Sequence, residues 1–214
     1  MKALIFDVNG VLTDDLKIHV DVYDQVFRKY GITNGGELIR QNIYLSTKGK
    51  VEFVLKENRR TDLDPDKIVK EKAQLFEETI RGRDILFPEV REVIPQLAAK
   101  YRIGNKCGLA IVTSQIRRQL EASLPKDVLK YFPVIVTQED AKKPKPDPES
   151  LLLAGRNLGL EPRECAYIGD TPEDIEAAHR AGMYAIGITT GFHTEQELRA
   201  GDLIVKSLKD LLSI

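Results

Sequence analysis

Ala3-Leu4-Ile5-Phe6-Asp7-Val8-Asn9-Gly10-Val11-Leu12-Thr13-Asp14 begins with a short apolar run that stops at an aspartate. Four consecutive apolar residues with no helical period read as a buried strand, and Asp7 then stands at its carboxyl end. Working outward, residues 109–112, 134–136, 166–168 and 185–188 are further short apolar runs, and 203–205 is a candidate edge strand before a terminal helix. Between them, 89–100, 148–158 and 171–181 carry apolar residues at helical spacing; the last begins at Thr171-Pro172 and stops at Gly182. Strands alternating with helices in this way predict an α/β fold, a Rossmann-like parallel sheet with helices on both faces.

The rhythm breaks directly after the first strand. Residues 20–30, 36–44, 50–58 and 64–80 are all helical in pattern, and no apolar strand separates them. The expected organisation is therefore a main domain of residues 1–14 and 86–214, interrupted by a helical subdomain at 15–85.

Bulk properties exclude several classes of function. Lys and Arg total 32 against 33 Asp and Glu, a net charge of −1 that gives no basis for a nucleic-acid or membrane-surface binder. No apolar run approaches the ~20 residues of a membrane span. The charged start of the chain does not read as a signal peptide, and Cys107 and Cys165 form no CxxC pair, so the expectation is a cytoplasmic protein with reduced thiols.

In open parallel sheets, ligands bind at the carboxyl ends of the strands. Read in order, those ends hold Asp7, then Thr113-Ser114, then a loop containing Lys142, Lys143 and Lys145, then Asp170. Any one of these has an ordinary explanation as a helix cap or solvated loop residue. Together, two carboxylates, a hydroxyl and an ammonium would suit a hard cation and a phosphoryl group.

Phe6-Asp7-Val8-Asn9-Gly10-Val11-Leu12-Thr13-Asp14 resembles the first motif of haloacid-dehalogenase-like hydrolases. Ile111-Val112-Thr113-Ser114 is similar to the second, Lys143-Pro144-Lys145-Pro146-Asp147 to the third, and Tyr167-Ile168-Gly169-Asp170-Thr171-Pro172-Glu173-Asp174 to the fourth. The helical insertion resembles the cap of the subgroup containing phosphoglycolate phosphatases and β-phosphoglucomutases. The resemblance implies a phosphatase of small phosphorylated metabolites that works through an aspartyl-phosphate on Asp7. It implies Mg2+ held by Asp7, the Asn9 main-chain carbonyl and Asp170, with Asp174 supporting the metal from behind. Thr113, Ser114 and Lys143 would bind the phosphoryl group. Lys142 and Lys145 lie close by; the proline spacing favours Lys143, with Lys142 as the fallback. Lys48 and Lys50, in the stretch where relatives read substrate, are candidate substrate contacts, and His19 and His193 receive no role.

Asn9 departs from the pattern, because the family's phosphatases and mutases carry a second aspartate there as general acid and base. A carboxamide has no titrating proton, so a factor of ~10²–10⁴ in rate is at stake. Asn9 is compatible with a natural variant that uses good leaving groups, with an engineered exchange, or with Asp14, Asp15 or a cap residue supplying the proton. It also keeps three alternatives open: a phosphosugar mutase, a 2-haloacid dehalogenase and a catalytically weakened phosphometabolite-binding protein. The acidic pair Asp170 and Asp174, suited to a metal, argues against the dehalogenase.

Overall fold

The computed structural model describes residues 1–42, 45–104, 106–191 and 193–214. The described chain divides into two compact units, Met1–Asp14 with Ile85–Ile214, and Asp15–Asp84.

The larger unit is built on β1 (Ala3–Phe6), β4 (Leu109–Val112), β5 (Val134–Val136), β6 (Cys165–Gly169), β7 (Tyr184–Ile188) and β8 (Leu203–Val205). They form one six-stranded sheet in the order β5-β4-β1-β6-β7-β8, with every neighbouring pair parallel. β1, β4 and β6 are buried throughout, as their unbroken apolar sequences require of strands covered on both faces. The period of two divides their side chains between two cores. Leu4, Phe6, Leu109, Ile111, Ala166 and Ile168 pack with α5 (Val90–Lys100), α6 (Arg117–Ser123), α7 (Lys126–Leu129) and the final residues Leu208 and Leu211. Ala3, Ile5, Ala110, Val112, Cys165 and Tyr167 pack with α8 (Glu149–Leu158) and α9 (Pro172–Ala181).

Each expected strand is present. The expected terminal helix is instead a 3₁₀ segment, Leu208–Ser213, in which Ser207 and Asp210 form a reciprocal capping box. A small antiparallel pair, β2 (Arg102–Ile103) with β3 (Lys106–Cys107), was not evident as a pattern because two-residue strands carry no period.

From β1 the chain runs outward through β4 to β5, then returns to the other side of β1 at β6 and proceeds to β7 and β8. The order therefore reverses beside β1, which opens a crevice at the carboxyl ends of β1 and β6. The Asp7 N–H donates to the Ile168 carbonyl at 2.9 Å, so Asp7 and Asp170 flank that crevice.

The smaller unit is helical among its described residues: α1 (Leu16–Lys29), α2 (Gly35–Gln41), α3 (Thr47–Glu57) and α4 (Pro65–Ile80). The expected helix over 36–44 ends within its range, and Ile43 and Tyr44 lie outside the described residues. Val20, Tyr23, Phe27, Ile39, Val54 and Ile68 are part of a separate core for this unit. Ser46 caps α3 by accepting the Gly49 N–H, and Asp64 caps α4 ahead of Pro65. The returning chain rejoins the larger unit at Ile85, whose carbonyl accepts the Asp14 N–H at 2.7 Å. No helix among the described residues is long and apolar enough to cross a membrane.

Candidate active site

The turn after β1 is wound around one carbonyl. The Val8 oxygen accepts the N–H groups of Val11, Leu12 and Thr13 and the Thr13 hydroxyl. This tight loop requires φ +73° at Gly10, a conformation that only glycine adopts without strain. A side chain at Gly10 would also strike the Asp170 carboxyl group, and one at Gly191 would meet the same group from another side. The two glycines thus leave the volume that Asp170 fills.

Asp7, Asp170 and Asp174 are all buried, with ligand oxygens within 4.8 Å of one another. Lys145 is inserted between two of them: its Nζ lies 3.1 Å from Asp7 Oδ2 and 2.5 Å from Asp174 Oδ1. It also reaches the Tyr167 hydroxyl at 2.8 Å. Asp174 is fully engaged, with Oδ1 facing Lys145 and Tyr167 and Oδ2 accepting from the Thr171 N–H and hydroxyl. Asp7 Oδ1, by contrast, is buried with no hydrogen-bond partner.

Three carboxylates share one ammonium here, and the proton affinities follow. Burial, opposed by Lys145 and reinforced by Asp174, pushes the Asp7 carboxyl up to about 6. Burial and then the neighbouring Asp174 and Asp7 hold Asp170 well above the carboxylate range. Burial alone would lower Lys145, but Asp174 and Asp7 outweigh it and keep the ammonium charged well above its ordinary value. Tyr167 is held well above its usual range by burial and by the same acids, so it remains a hydrogen-bond donor. Asp170, whose charged form is disfavoured, and the bare buried oxygen of Asp7 fit a divalent cation bound by oxygen ligands.

The structure places Lys145, rather than Lys143, beside Asp7. Lys143 is 71% exposed and pairs with Asp147 at 3.5 Å, whereas Lys145 occupies the site. The sequence holds two overlapping Lys-Pro-x-Pro registers, Lys143-Pro144-Lys145-Pro146 and Lys145-Pro146-Asp147-Pro148, and the second is the one that carries Lys145. Thr113 is buried at the end of β4, with its N–H on the Val136 carbonyl and its hydroxyl oxygen accepting from the Gln115 N–H. Ser114 is exposed. Sequence reasoning missed Tyr167, a core tyrosine by pattern, and Gln115, whose side chain donates to Asn9 Oδ1 at 3.1 Å.

In the helical unit, Lys48 pairs with Asp66 at 2.8 Å on the surface and Lys50 is partly buried. His19, given no role from sequence, stacks on Phe76 with ring centroids 4.0 Å apart. Lys72 Nζ lies 2.6 Å from its Nδ1, and Asp15 Oδ2 lies 3.5 Å from its Nε2. Burial, reinforced by Lys50, lowers Lys72 to about 7, and burial together with Lys72 lowers His19 to about 4. Asp14 is exposed, whereas Asp15 is buried.

The tight turn after β1, the crowded acid cluster and the inserted Lys145 thus stand together at the switch crevice. Residues 4–188 match the haloacid dehalogenase-like hydrolase model, and the chain belongs to that family. It is 26% identical, over 238 aligned positions, to the phosphoglycolate phosphatase of Shigella dysenteriae serotype 1 (strain Sd197), covering 99% of this chain and 91% of the relative. Among solved structures, a hydrolase from Pseudomonas syringae superposes with TM-score 0.80 at 25% identity, covering 100% of this chain and 97% of the other. The β-phosphoglucomutase of Clostridium difficile superposes with TM-score 0.71 at 21% identity, covering 99% and 93%, a likeness of fold alone. The family and its phosphoglycolate phosphatase relative support hydrolysis of phosphate esters as the general activity.

Proposed function

We propose that this protein is a magnesium-dependent phosphatase of a small phosphomonoester, acting through a phosphoryl group carried on Asp7. The observation that carries the reading is the state of the Asp7 carboxylate: Oδ2 is held by Lys145, while Oδ1 is buried and bare. An oxygen in that condition is a positioned nucleophile.

In the proposed reaction Asp7 attacks phosphorus, the ester P–O bond breaks and the leaving oxygen takes a proton from water. Water then attacks the phosphoryl group, Asp7 departs as a carboxylate, and the proton that the attacking water releases passes to solvent, where it neutralises the hydroxide left by the first step. Lys145 remains an ammonium throughout, orienting Asp7 and offsetting phosphoryl charge. Thr113, whose oxygen already accepts from Gln115, keeps its own proton to donate to a phosphoryl oxygen. Asp7, Asp170 and the Asn9 main-chain carbonyl would hold the Mg2+, which supplies charge neutralisation at the phosphoryl group when bound. Asp174, with both oxygens engaged, supports these ligands from behind.

We assign substrate selection to the helical unit Asp15–Asp84 on the strength of its resemblance to substrate-reading caps. The phosphoglycolate phosphatase relative makes small phosphorylated carboxylic acids and sugars the first compounds to assay. Asn9 favours one second reading, a phosphometabolite-binding protein with weakened catalysis, because no titrating proton is available at that position.

The deciding assay is phosphate release from p-nitrophenyl phosphate and a panel including phosphoglycolate and hexose phosphates, with Mg2+ and with chelator. It is run on the native protein beside Asn9→Asp. Turnover that requires Mg2+ supports the phosphatase; background rates from both proteins in all conditions would overturn it.

A further inference from the structure

Gln115 lies just beyond β4 and is 5% exposed. Its backbone is tied on both sides: the N–H donates to Thr113 Oγ1 at 3.2 Å, and the carbonyl accepts from the Gln138 N–H at 3.0 Å. Its side-chain Nε2 faces two acceptors, Asn9 Oδ1 at 3.1 Å and Ser123 Oγ at 3.4 Å.

The hydrogen bonds describe one orientation for these amides, in which Gln115 Oε1 is buried without a partner. The Ser123 hydroxyl spends its single proton on the Gln119 carbonyl at 2.9 Å, so toward Gln115 it can only accept. Gln115 must therefore present NH2 rather than oxygen to Ser123. The same NH2 faces Asn9, which must answer with Oδ1. The Asn9 carboxamide is thereby oriented with its oxygen on Gln115 and its Nδ2 turned the other way.

We propose that Gln115 is the positioning residue that sets the orientation of Asn9 and ties the turn carrying Asp7 to the turn carrying Thr113. The inference rests on the phosphatase reading for its catalytic consequence but not for the pairing itself. With Asn9 so fixed, the group turned from Gln115 is a hydrogen-bond donor. Holding Asn9 in one orientation steadies the turn that carries Asp7, and that is the catalytic consequence, although Asn9 has no proton to transfer.

The test compares Gln115→Met, which removes the donor at similar volume, with Gln115→Glu, which keeps the shape and reverses the polarity toward Asn9. In steady-state kinetics on p-nitrophenyl phosphate with Mg2+, both are expected to lower kcat about tenfold with KM within about twofold, the loss of one hydrogen bond felt in the transition state. In 15N NMR spectra, both are expected to shift the Asn9 side-chain amide signal, identified by its loss in Asn9→Asp. A role limited to filling space would spare the Glu variant. Native kcat in Gln115→Glu, or an unmoved Asn9 signal, overturns the proposal. If the native protein shows no turnover, the phosphatase reading falls while the Asn9 signal still decides the pairing.

Discussion

Lys145 Nζ bridges Asp7 and Asp174, 3.1 Å from Oδ2 of the first and 2.5 Å from Oδ1 of the second. The Asp7 carboxylate is therefore held by a lysine from a different loop, held in turn by an acid on α9.

Removing that ammonium separates the two candidate lysines. Lys145→Met is expected to lower kcat on p-nitrophenyl phosphate by about 10²–10³, the scale for a lost preorganised charge at a transition state. Lys143→Met, at an exposed side chain, should leave kcat within about twofold. Equal losses in the two variants would reassign the phosphoryl-binding lysine.

Restoring an acid at position 9 tests what Asn9 costs. Asn9→Asp should raise the rate of phosphate release by about 10²–10⁴, the usual worth of a general acid–base group. The native protein should accumulate phosphorylated Asp7 on a good leaving group, visible as a burst and as a mass increase in an acid quench. A native rate matching that of the Asp variant would show that the proton comes from elsewhere.

Burial, and then Asp174 and Asp7, disfavour the ionised form of Asp170, so without a cation this acid is a burden to the fold. Asp170→Asn should abolish Mg2+-dependent activity yet raise the Tm of the chelated protein by about 2–4 °C, equivalent to roughly 1 kcal/mol at this chain length. Added Mg2+ should raise the Tm of the native protein and leave that of the variant unchanged. Thermal scans with chelator and with Mg2+ give both readings.

Lys72 predicts a pH dependence of stability. Its folded value is about 7 against an ordinary 10.5, so between these values the unfolded chain binds more protons than the folded one. Stability should therefore rise with pH across that window, by at most about 1.4 kcal/mol per pH unit from this group. His19, lowered to about 4 from 6.5, acts in the same direction between those values. Urea unfolding of the native protein and Lys72→Met at pH 7, 8 and 9 isolates the lysine. Parallel pH profiles for the two would remove it as the cause.

Gly10→Ala combines a strained φ of +73° with a collision against Asp170. A loss of about 1–3 kcal/mol is expected for backbone strain of this kind, together with loss of activity. Gly31→Ala has a comparable φ of +77° with nothing within 4 Å, so it carries the strain without the clash. Urea midpoints and Mg2+-dependent turnover of the two variants distinguish strain from collision. Equal effects on turnover would remove the Asp170 contact from the argument.

Much of this molecule was written locally. The apolar runs at β1, β4, β6 and β7 specify strands buried on both faces, and the helical spacing at α5, α8 and α9 specifies their covers. Asp7, Thr113 and Asp170 were legible because each sits at a strand's carboxyl end, a position that sequence marks directly. Lys145 was not: two Lys-Pro-x-Pro registers overlap, and only the path of the loop toward Asp7 and Asp174 chooses between them. Gln115 and Tyr167 were hidden for a related reason. A polar residue past a strand and a tyrosine within one show their partners only when Asn9, Ser123, Lys145 and Asp174 are brought beside them across the sheet. Pattern along the chain determines where the backbone is buried, because burial follows periodicity. Which polar atoms share a proton or a charge is decided by separations of a few ångströms between residues distant in sequence, and those exist only in the tertiary structure.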